Sequence, residues 1–577
     1  MPEKDDQFVQ QRLLAASVLS GLLVMGYFWY QSRNAPPPPE PQAIEQSVEQ
    51  TSEQPQTPAP DAASGQAPSG DTAAEGETPA APEAQRAAAE QIIVVETDTF
   101  IATFSNRGAV VTSWVLKNFQ DSDGSPLNLV HAEGRQEFGA PFSLLRLGGA
   151  PIPELDKALF VVNDGPSHRT APETLEFRFT DGSRRATKTF RFSQEGYLVD
   201  VSTTYFENGA AQPHLIAWPG GFGDTGHQQD WMFSKTFYQE PSDESIEFTE
   251  ADDAEDTRIT ARGLYPFAGI EDHFFTAIFL PKAGEPITVE TSAVEIAPAP
   301  GVESKETYAA LAVGSEGRNE FQVYVGPKDV DELQKVRPSM RNVVDFGWFS
   351  FVAEPLFLFL RWVHDNVVAN WGWSIIIVTV VINLALFPLK WKGSKSMKRM
   401  QQIQPLVAQI NEKYKGLGMT DPRKQKQNEE VMELYSKYKV NPVGGCLPMV
   451  LQLPFFYGFY KVLTLAIEMR HAHWLWVSDL SQPETLAIRI LPLTMMATQF
   501  WMQSLTPTPS VDPAQARIMK FMPLMMGFIF YQFSAGLVLY WLTGNLVGVA
   551  QQVLLNKLPG EELDIAQDLK RTKKRSK

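Results

Sequence analysis

Between Trp373 and Tyr460 an apolar run, a basic segment and a second apolar run follow one another with no spare residues. No other feature of the chain restricts its fold so much. Residues 374–389 read SIIIVTVVINLALFPL, interrupted only by Thr379, Asn383 and Pro388. That is long enough to cross most of a bilayer's hydrocarbon core of about 30 Å, so the run predicts a membrane span. From Lys390 to Lys439 twelve Lys and Arg stand against five Asp and Glu, an excess that holds a short loop on the cytoplasmic side. Within it Met397, Met400, Ile403, Val407, Ile410 and Tyr414 recur at three- and four-residue steps. Val431, Leu434 and Tyr438 resume the pattern after a breaker run at 416–422. The spacing predicts two amphipathic helices folded back as a cytoplasmic hairpin over 390–440, kinked at Pro405 where one backbone hydrogen bond is lost.

Next comes Asn441-Pro442-Val443-Gly444-Gly445-Cys446-Leu447-Pro448, then Met449 to Pro454 and a Phe/Tyr-rich continuation to Tyr460. With this NPxGGCLPxxxQxP signature after a basic hairpin and before three more apolar runs, the chain resembles the YidC family of membrane-protein insertases over about residues 341–577. The resemblance implies a multi-domain membrane protein, an α-helical bundle of six transmembrane helices carrying a large periplasmic all-β sandwich. It also implies no enzyme activity, no cofactor and no metal. Its implied partners are nascent membrane proteins, the lipid bilayer, the Sec translocon for larger clients, and the ribosome through the basic tail and hairpin.

The rest of the chain reads consistently with that plan. At 577 residues with a net charge of −17 and one cysteine, there is room for several domains and no disulfide framework. Residues 34–340 hold 48 acidic and 21 basic groups whereas the hairpin and tail are basic, a split that matches two compartments. Leu13 to Tyr30 is an apolar run ending in four aromatics, without a strongly basic flank or a small-x-small site, and predicts an uncleaved anchor within 1–33 rather than a signal peptide. Residues 34–90 are Pro, Ala, Glu, Gln and Ser, too poor in bulky apolar side chains to fold, and read as a disordered linker. Short β-rich runs between Gly, Pro and Asp turns begin at Ile92, Phe100, Val110, Leu175 and Tyr197, predicting a β-sandwich over 91–330.

Residues 341–363 are apolar but broken by Arg341, Asp345, Glu354, Pro355 and Arg361, which predicts an interfacial amphipathic helix on the outer face. An insertase core over 372–556 is then built from five spans: the first described above, then 446–467, 486–502, 518–533 and 537–555. With the anchor these make six crossings of the bacterial inner membrane, and both termini, including the basic tail 557–577, face the cytoplasm. The sixteen-residue span 518–533 is short enough to suggest local thinning of the bilayer.

Polar side chains inside these spans need partners or water, so they should face the bundle interior. Thr379, Asn383, Gln452, Gln499, Gln532, Thr543 and Asn545 are such residues; simple links between helices are the plainer reading. The resemblance implies instead that they line a hydrophilic groove, open to cytoplasm and lipid, and extends it to Tyr540 and Trp541. Phe455, Phe456, Met495, Met522 and Met525 are expected to form the client-contact surface, since thioethers repack around varied partners; ordinary helix packing explains them nearly as well. Where many relatives carry an Arg or Lys, this chain has Asn383. Lys461 should reach the outer interface, and Lys390 and Lys392 lie roughly 10 to 14 Å beyond Asn383 along a continuous helix. The expectation is therefore a groove wetted by neutral groups.

Other classes find less support. A secondary transporter would use intramembrane carboxylates and paired repeats, and the five spans contain no Asp or Glu. A membrane-tethered carbohydrate-binding or carbohydrate-cleaving protein would need a carboxylate pair that the scattered acids do not nominate. Gly221-Phe222-Gly223-Asp224-Thr225-Gly226 spells a dinucleotide fingerprint without a βαβ unit and reads as a loop. His471 and His473, beside Trp474 and Trp476, read as interfacial anchoring rather than metal ligands.

Overall fold

A computed structural model describes residues 84–121, 124–224, 233–297, 305–415, 421, 423–440, 447–506 and 513–558. The anchor at 1–33, nearly all of the linker, residues 441–446 of the signature and the tail from 559 lie outside the described residues. The described residues fall into two compact units, those within Leu406–Val431 and Ser510–Met522 forming the smaller and the rest the larger.

Among the described residues strands run from Ile92 to Pro327 and form three sheets, one of ten strands and two of five. Four of the five runs expected from the alternation lie in strands, for example Ile92–Glu96, Phe100–Ser105 and Glu173–Thr180, and the fifth, from Tyr197, enters its strand at Leu198. Period-two burial explains why. Along Arg184–Phe192 the residues Ala186, Lys188, Phe190 and Phe192 point inward, as successive side chains of a strand alternate between faces. The core between sheets is aromatic: Phe104 lies 4.9 Å from Phe190, Phe142 lies 5.4 Å from Phe190, and Phe100 stacks on Trp114 at 4.5 Å. Lys188 is buried among them because its ammonium finds three backbone acceptors, the carbonyls of Gly108 (2.7 Å), Ala109 (3.1 Å) and Phe142 (2.8 Å). Burial lowers its pKa to about 7.

Among the described residues eight longer helices follow: α1 Ser350–Asn366, α2 Trp371–Ala385, α3 Phe387–Lys413, α4 Arg423–Lys437, α5 Leu447–Leu465, α6 Ile490–Leu505, α7 Pro513–Phe530 and α8 Ala535–Lys557. Among the described residues only α8 is long and apolar enough to cross a membrane by itself. The pair α2 and α3 passes the same test jointly, as a span bent by 54°. Helix α1 is apolar on two sides, burying Ala353, Leu356, Phe357, Leu360 and Val363 and exposing Phe351, Leu358 and Trp362.

The bend corrects one expectation. The apolar run is not one helix to Leu389: α2 stops at Ala385, and α3 starts at Phe387 and continues through Pro405. Pro388 has no N–H to donate to the Leu384 carbonyl, so α2 does not run through it, whereas in the first turn of α3 that N–H would have no intrahelical partner. The chain turns at Leu386, whose carbonyl accepts from Leu389 N and Lys390 N, both at 3.1 Å.

The β-sheets and the helices are joined by a buried ionic clasp. Arg470, between α5 and α6, donates from Nη2 to Asp224 Oδ2 at 2.6 Å and to the Gln120 carbonyl at 2.5 Å. The two side chains are 2% and 1% exposed. Asp272 accepts from Asp224 N at 2.7 Å and from Phe274 N at 2.8 Å, and burial raises its pKa to about 6. Beside it His273 Nε2 donates to the Thr464 carbonyl at 2.6 Å. On α1, Arg361 pairs with Asp331 at 2.6 Å.

Candidate functional site

The bend at Leu386 folds the first turn of α3 back against the end of α2. Lys390 Nζ donates to Asn383 Oδ1 at 2.7 Å and to Gln551 Oε1 of α8 at 3.4 Å. Gln551 Nε2 returns a hydrogen bond to the Asn383 carbonyl at 2.9 Å, and Asn383 Nδ2 donates to the Thr379 carbonyl at 2.8 Å. About two turns further along α3, Lys398 Nζ donates to the Leu555 carbonyl at 2.6 Å. The expected separation of Lys390 from Asn383 is thus overturned, because the bend and the flexible lysine stem close a gap that a continuous helix would keep open. Three helices converge on one ammonium, and all its acceptors are neutral. Among the described residues no carboxylate approaches it within 4.0 Å.

The other candidates distribute unevenly. Thr379 is fully buried and donates from Oγ1 to the Ile375 carbonyl of its own helix at 2.6 Å, so its hydroxyl is spent locally, as threonines in apolar helices commonly do. Thr543 does the same with Leu539. Asn545 donates to the Met495 carbonyl at 3.3 Å, linking α8 to α6. Gln499 accepts from Trp541 Nε1 at 3.3 Å, and the Trp541 ring meets Phe456 edge-on at 4.9 Å. Tyr540 stacks on Phe459 at 4.3 Å. Gln452 is half-buried and has no hydrogen-bond partner among the described residues. Gln532 is not in a helix; α7 ends at Phe530, and Gln532 is exposed in the turn before α8.

Of the apolar candidates, Phe455 and Phe456 are half-buried, and Met522 and Met525 are exposed. Met495 is fully buried where α6 packs on α8 and presents no surface. Helix α7 carries much of the exposed apolar area, Phe521, Leu524 and Phe528 included, the last at 79%. Trp474 is buried against Gly372 rather than displayed, whereas Trp476 is exposed. His471 meets the Gln120 carbonyl at 3.1 Å. Among the described residues no three His, Cys, Asp or Glu are grouped to hold a metal ion.

Reading the sequence missed Gln551, Gln552, Arg470 and Asp224. Gln551 carries the signal used for the other amides, a polar residue inside an apolar helix. Arg470 and Asp224 carry none, since their pairing joins residues 246 apart.

The family described as 60Kd inner membrane protein matches residues 362–562, and the one described as YidC periplasmic domain matches residues 92–359. The membrane protein insertase YidC of Cupriavidus necator is 33% identical over 524 residues, covering 87% of this chain and 90% of the relative. That of Pelobacter propionicus is 33% identical over 498 residues, covering 83% and 89%. A solved active YidC insertase is 20% identical, covering 80% of this chain and 94% of that one with a TM-score of 0.33. A galactose mutarotase-like protein from Lactobacillus casei matches 41% of the chain at 13% identity and a TM-score of 0.29. Both scores are too low to carry detail across.

Proposed function

Since this chain belongs to the YidC family of membrane protein insertases, we propose that it receives the polar part of a client in a hydrated recess at the ends of α2, α3 and α8. It works in the inner membrane on nascent membrane proteins, with its β domain in the periplasm. In this reading α2, α5, α6, α7 and α8 are five spans, the anchor at 1–33 is a sixth, and both termini face the cytoplasm. Helix α1 lies along the outer interface with Phe351, Leu358 and Trp362 toward lipid. Helices α3 and α4 form the cytoplasmic hairpin that meets clients first, and the Sec translocon and the ribosome are partners for larger and nascent clients.

The observation that carries the reading is the convergence of Asn383, Gln551 and Lys390 in helices whose other faces are apolar. Polar groups so placed lower the cost of bringing a short hydrophilic stretch into the bilayer. Moving the client's apolar helix into lipid supplies the driving force, at about 25 cal/mol per Å² removed from water. That transfer is downhill by itself, so no nucleotide is needed. Gln452 and Gln499 supply further amides along the recess, and Phe455, Phe456, Met522 and Met525 offer the apolar surface along which the client leaves.

The test is reconstitution. Purified protein in nucleotide-free liposomes should render the polar tail of a single-span client resistant to external protease, and empty liposomes should not. An Asn383→Leu/Gln452→Leu double variant at normal levels should insert such a client more slowly. Insertion at the parental rate would refute the wet recess.

A further inference from the structure

We infer that the β domain carries a binding site for an acidic saccharide, in a cleft on the outward face of the ten-stranded sheet, with Arg191 and Arg337 as its anion-binding groups. The site is additional to the client recess and shares no residue with it.

The cleft holds about 440 Å³ and runs into a second hollow of about 320 Å³ that shares Thr189, Arg191, Ser202 and Arg318 with it. Its floor is made by the neighbouring strands Arg184–Phe192, Leu198–Glu207, Asn319–Pro327 and Phe275–Pro281. Alternation dictates what these strands display. Lys188 and Phe190 point into the core, so Thr187, Thr189 and Arg191 point out. Antiparallel register then sets Thr187 opposite Thr204, Thr189 opposite Ser202 and Arg191 opposite Asp200, on strands about 4.8 Å apart. The hydroxyls of Thr187, Thr189, Ser202 and Thr204 belong to half-buried residues, and among the described residues none of them bonds to a protein group.

Charge narrows the ligand. Residues 34–340 hold 48 acidic and 21 basic groups, yet the larger hollow reverses that balance, with Arg191, Lys282, Arg318 and Arg337 against Asp200 and Glu320. Both carboxylates are already engaged. Asp200 accepts from Gln322 Nε2 at 3.1 Å, and Glu320 pairs with Arg318 at 2.6 Å and with Lys282. Two guanidiniums are left over. Among the described residues neither Arg191 nor Arg337 has a carboxylate within 4.0 Å, and Arg337 donates to the neutral Pro266 carbonyl at 3.0 Å. A guanidinium offers a planar fork of donors that matches a carboxylate or phosphate.

The occupant is therefore an anion that also carries several hydroxyls. The volume is that of a small-molecule site, and half-buried Pro281 and Val336 in its lining give the C–H face of a ring something to lie on. An extended peptide would instead add to an unpaired sheet edge. Every strand of this floor is paired on both sides. With Asp200 and Glu320 tied up by their neighbours, no carboxylate pair is free to act on a glycosidic bond, so the cleft holds its ligand without cleaving it.

The experiment titrates the full-length protein in detergent by calorimetry with four probes: trigalacturonate, the neutral trisaccharide maltotriose, triaspartate and inorganic phosphate. Trigalacturonate should bind at least about tenfold more tightly than each of the others. Arg191→Gln should weaken it about tenfold, the loss expected for one charge-assisted hydrogen bond, and Arg191→Lys should weaken it less, since the charge stays and only the fork is lost. Thr189→Val/Ser202→Ala, which removes two neutral hydrogen bonds, should also cost about tenfold. Arg185→Gln, outward on the same strand but outside the cleft, should bind as wild type does. Equal affinity for triaspartate or phosphate would show that the cleft reads charge alone, and equal affinity for maltotriose that the guanidiniums read nothing; either overturns the proposal. So would an unchanged affinity in Arg191→Gln, or no binding of trigalacturonate at about 10 mM. If Arg191→Gln fails to accumulate, the Thr189/Ser202 variant decides: weakened binding supports the site and unchanged binding overturns it. Client insertion enters none of these readings, so failure here is distinct from failure of the insertase reading.

Discussion

The ionic clasp between Arg470 and Asp224 makes a quantitative prediction. Both side chains are almost fully buried and 2.6 Å apart, so solvent does little to screen the pair. Asp224→Asn keeps the shape but removes the countercharge, leaving the buried guanidinium only neutral acceptors, the Gln120 carbonyl among them, and the Phe275 ring 5.5 Å away. Arg470→Met leaves the Asp224 carboxylate beside Asp272, whose Oδ2 already accepts from Asp224 N. Removing one partner of a buried pair costs about 3 to 5 kcal/mol, whereas replacing both with neutral groups is often close to neutral. Each single variant should therefore lose about 3 kcal/mol or more, and the double variant should regain at least about 2 kcal/mol of the summed loss. Pulse proteolysis across a urea series, on full-length protein in detergent, reads the folded fraction of the β domain directly. Additivity to within about 0.5 kcal/mol would refute the coupling, and single losses below about 1 kcal/mol would show that the pair is not desolvated in solution.

Three further outcomes follow from the same structure. A reporter fused after Gly418 should read cytoplasmic and one after Gly182 periplasmic; either one reversed would break the six-span topology. Deleting residues 95–320 removes both Asp224 and its cover, leaving Arg470 free to hydrate, so the deletion should rescue a depleted strain better than Asp224→Asn alone; failure to rescue at normal membrane levels would mean that the β domain is required. Burial lowers the imidazole pKa of His131 and of His214 from 6.5 to about 4. A group whose pKa is depressed by folding contributes stability above its unfolded value that is lost as pH falls, so the β domain should weaken between pH 6.5 and 4 by up to roughly 3 kcal/mol per histidine. His214→Gln should flatten that slope in urea titrations at pH 7, 5.5 and 4.5, and an unchanged slope would exclude His214.

What the sequence made legible was the part governed by local periodicity. Strands such as Phe100–Ser105 and Glu173–Thr180 announce themselves because alternation and turn residues act over a few positions. The candidate site was less legible, for reasons that differ by residue. Thr379 reads as a free hydroxyl in sequence, but its own helix offers a carbonyl four residues back. Met495 and Met525 look alike on paper, and only packing decides that one is buried and the other exposed. Gln532 fell inside a span because an apolar run does not mark where its helix stops. Lys390 was misjudged because spacing along a helix measures distance only while the helix stays straight, although Pro388 two residues earlier was a signal that it does not.

The bend at Leu386 also bears on how such chains diverge. Positions 383 and 390 are seven apart in sequence yet share one hydrogen bond in space, so a positive charge can migrate between them during evolution without passing through a protein that lacks it. A domain exchange that transplants α2 from a relative carrying a basic residue at the place of Asn383, but leaves the first turn of α3 behind, would bring two cations face to face. The reverse transplant would deliver none. Residues 383–390 are therefore the shortest stretch that carries both positions and so moves between such chains with its charge intact.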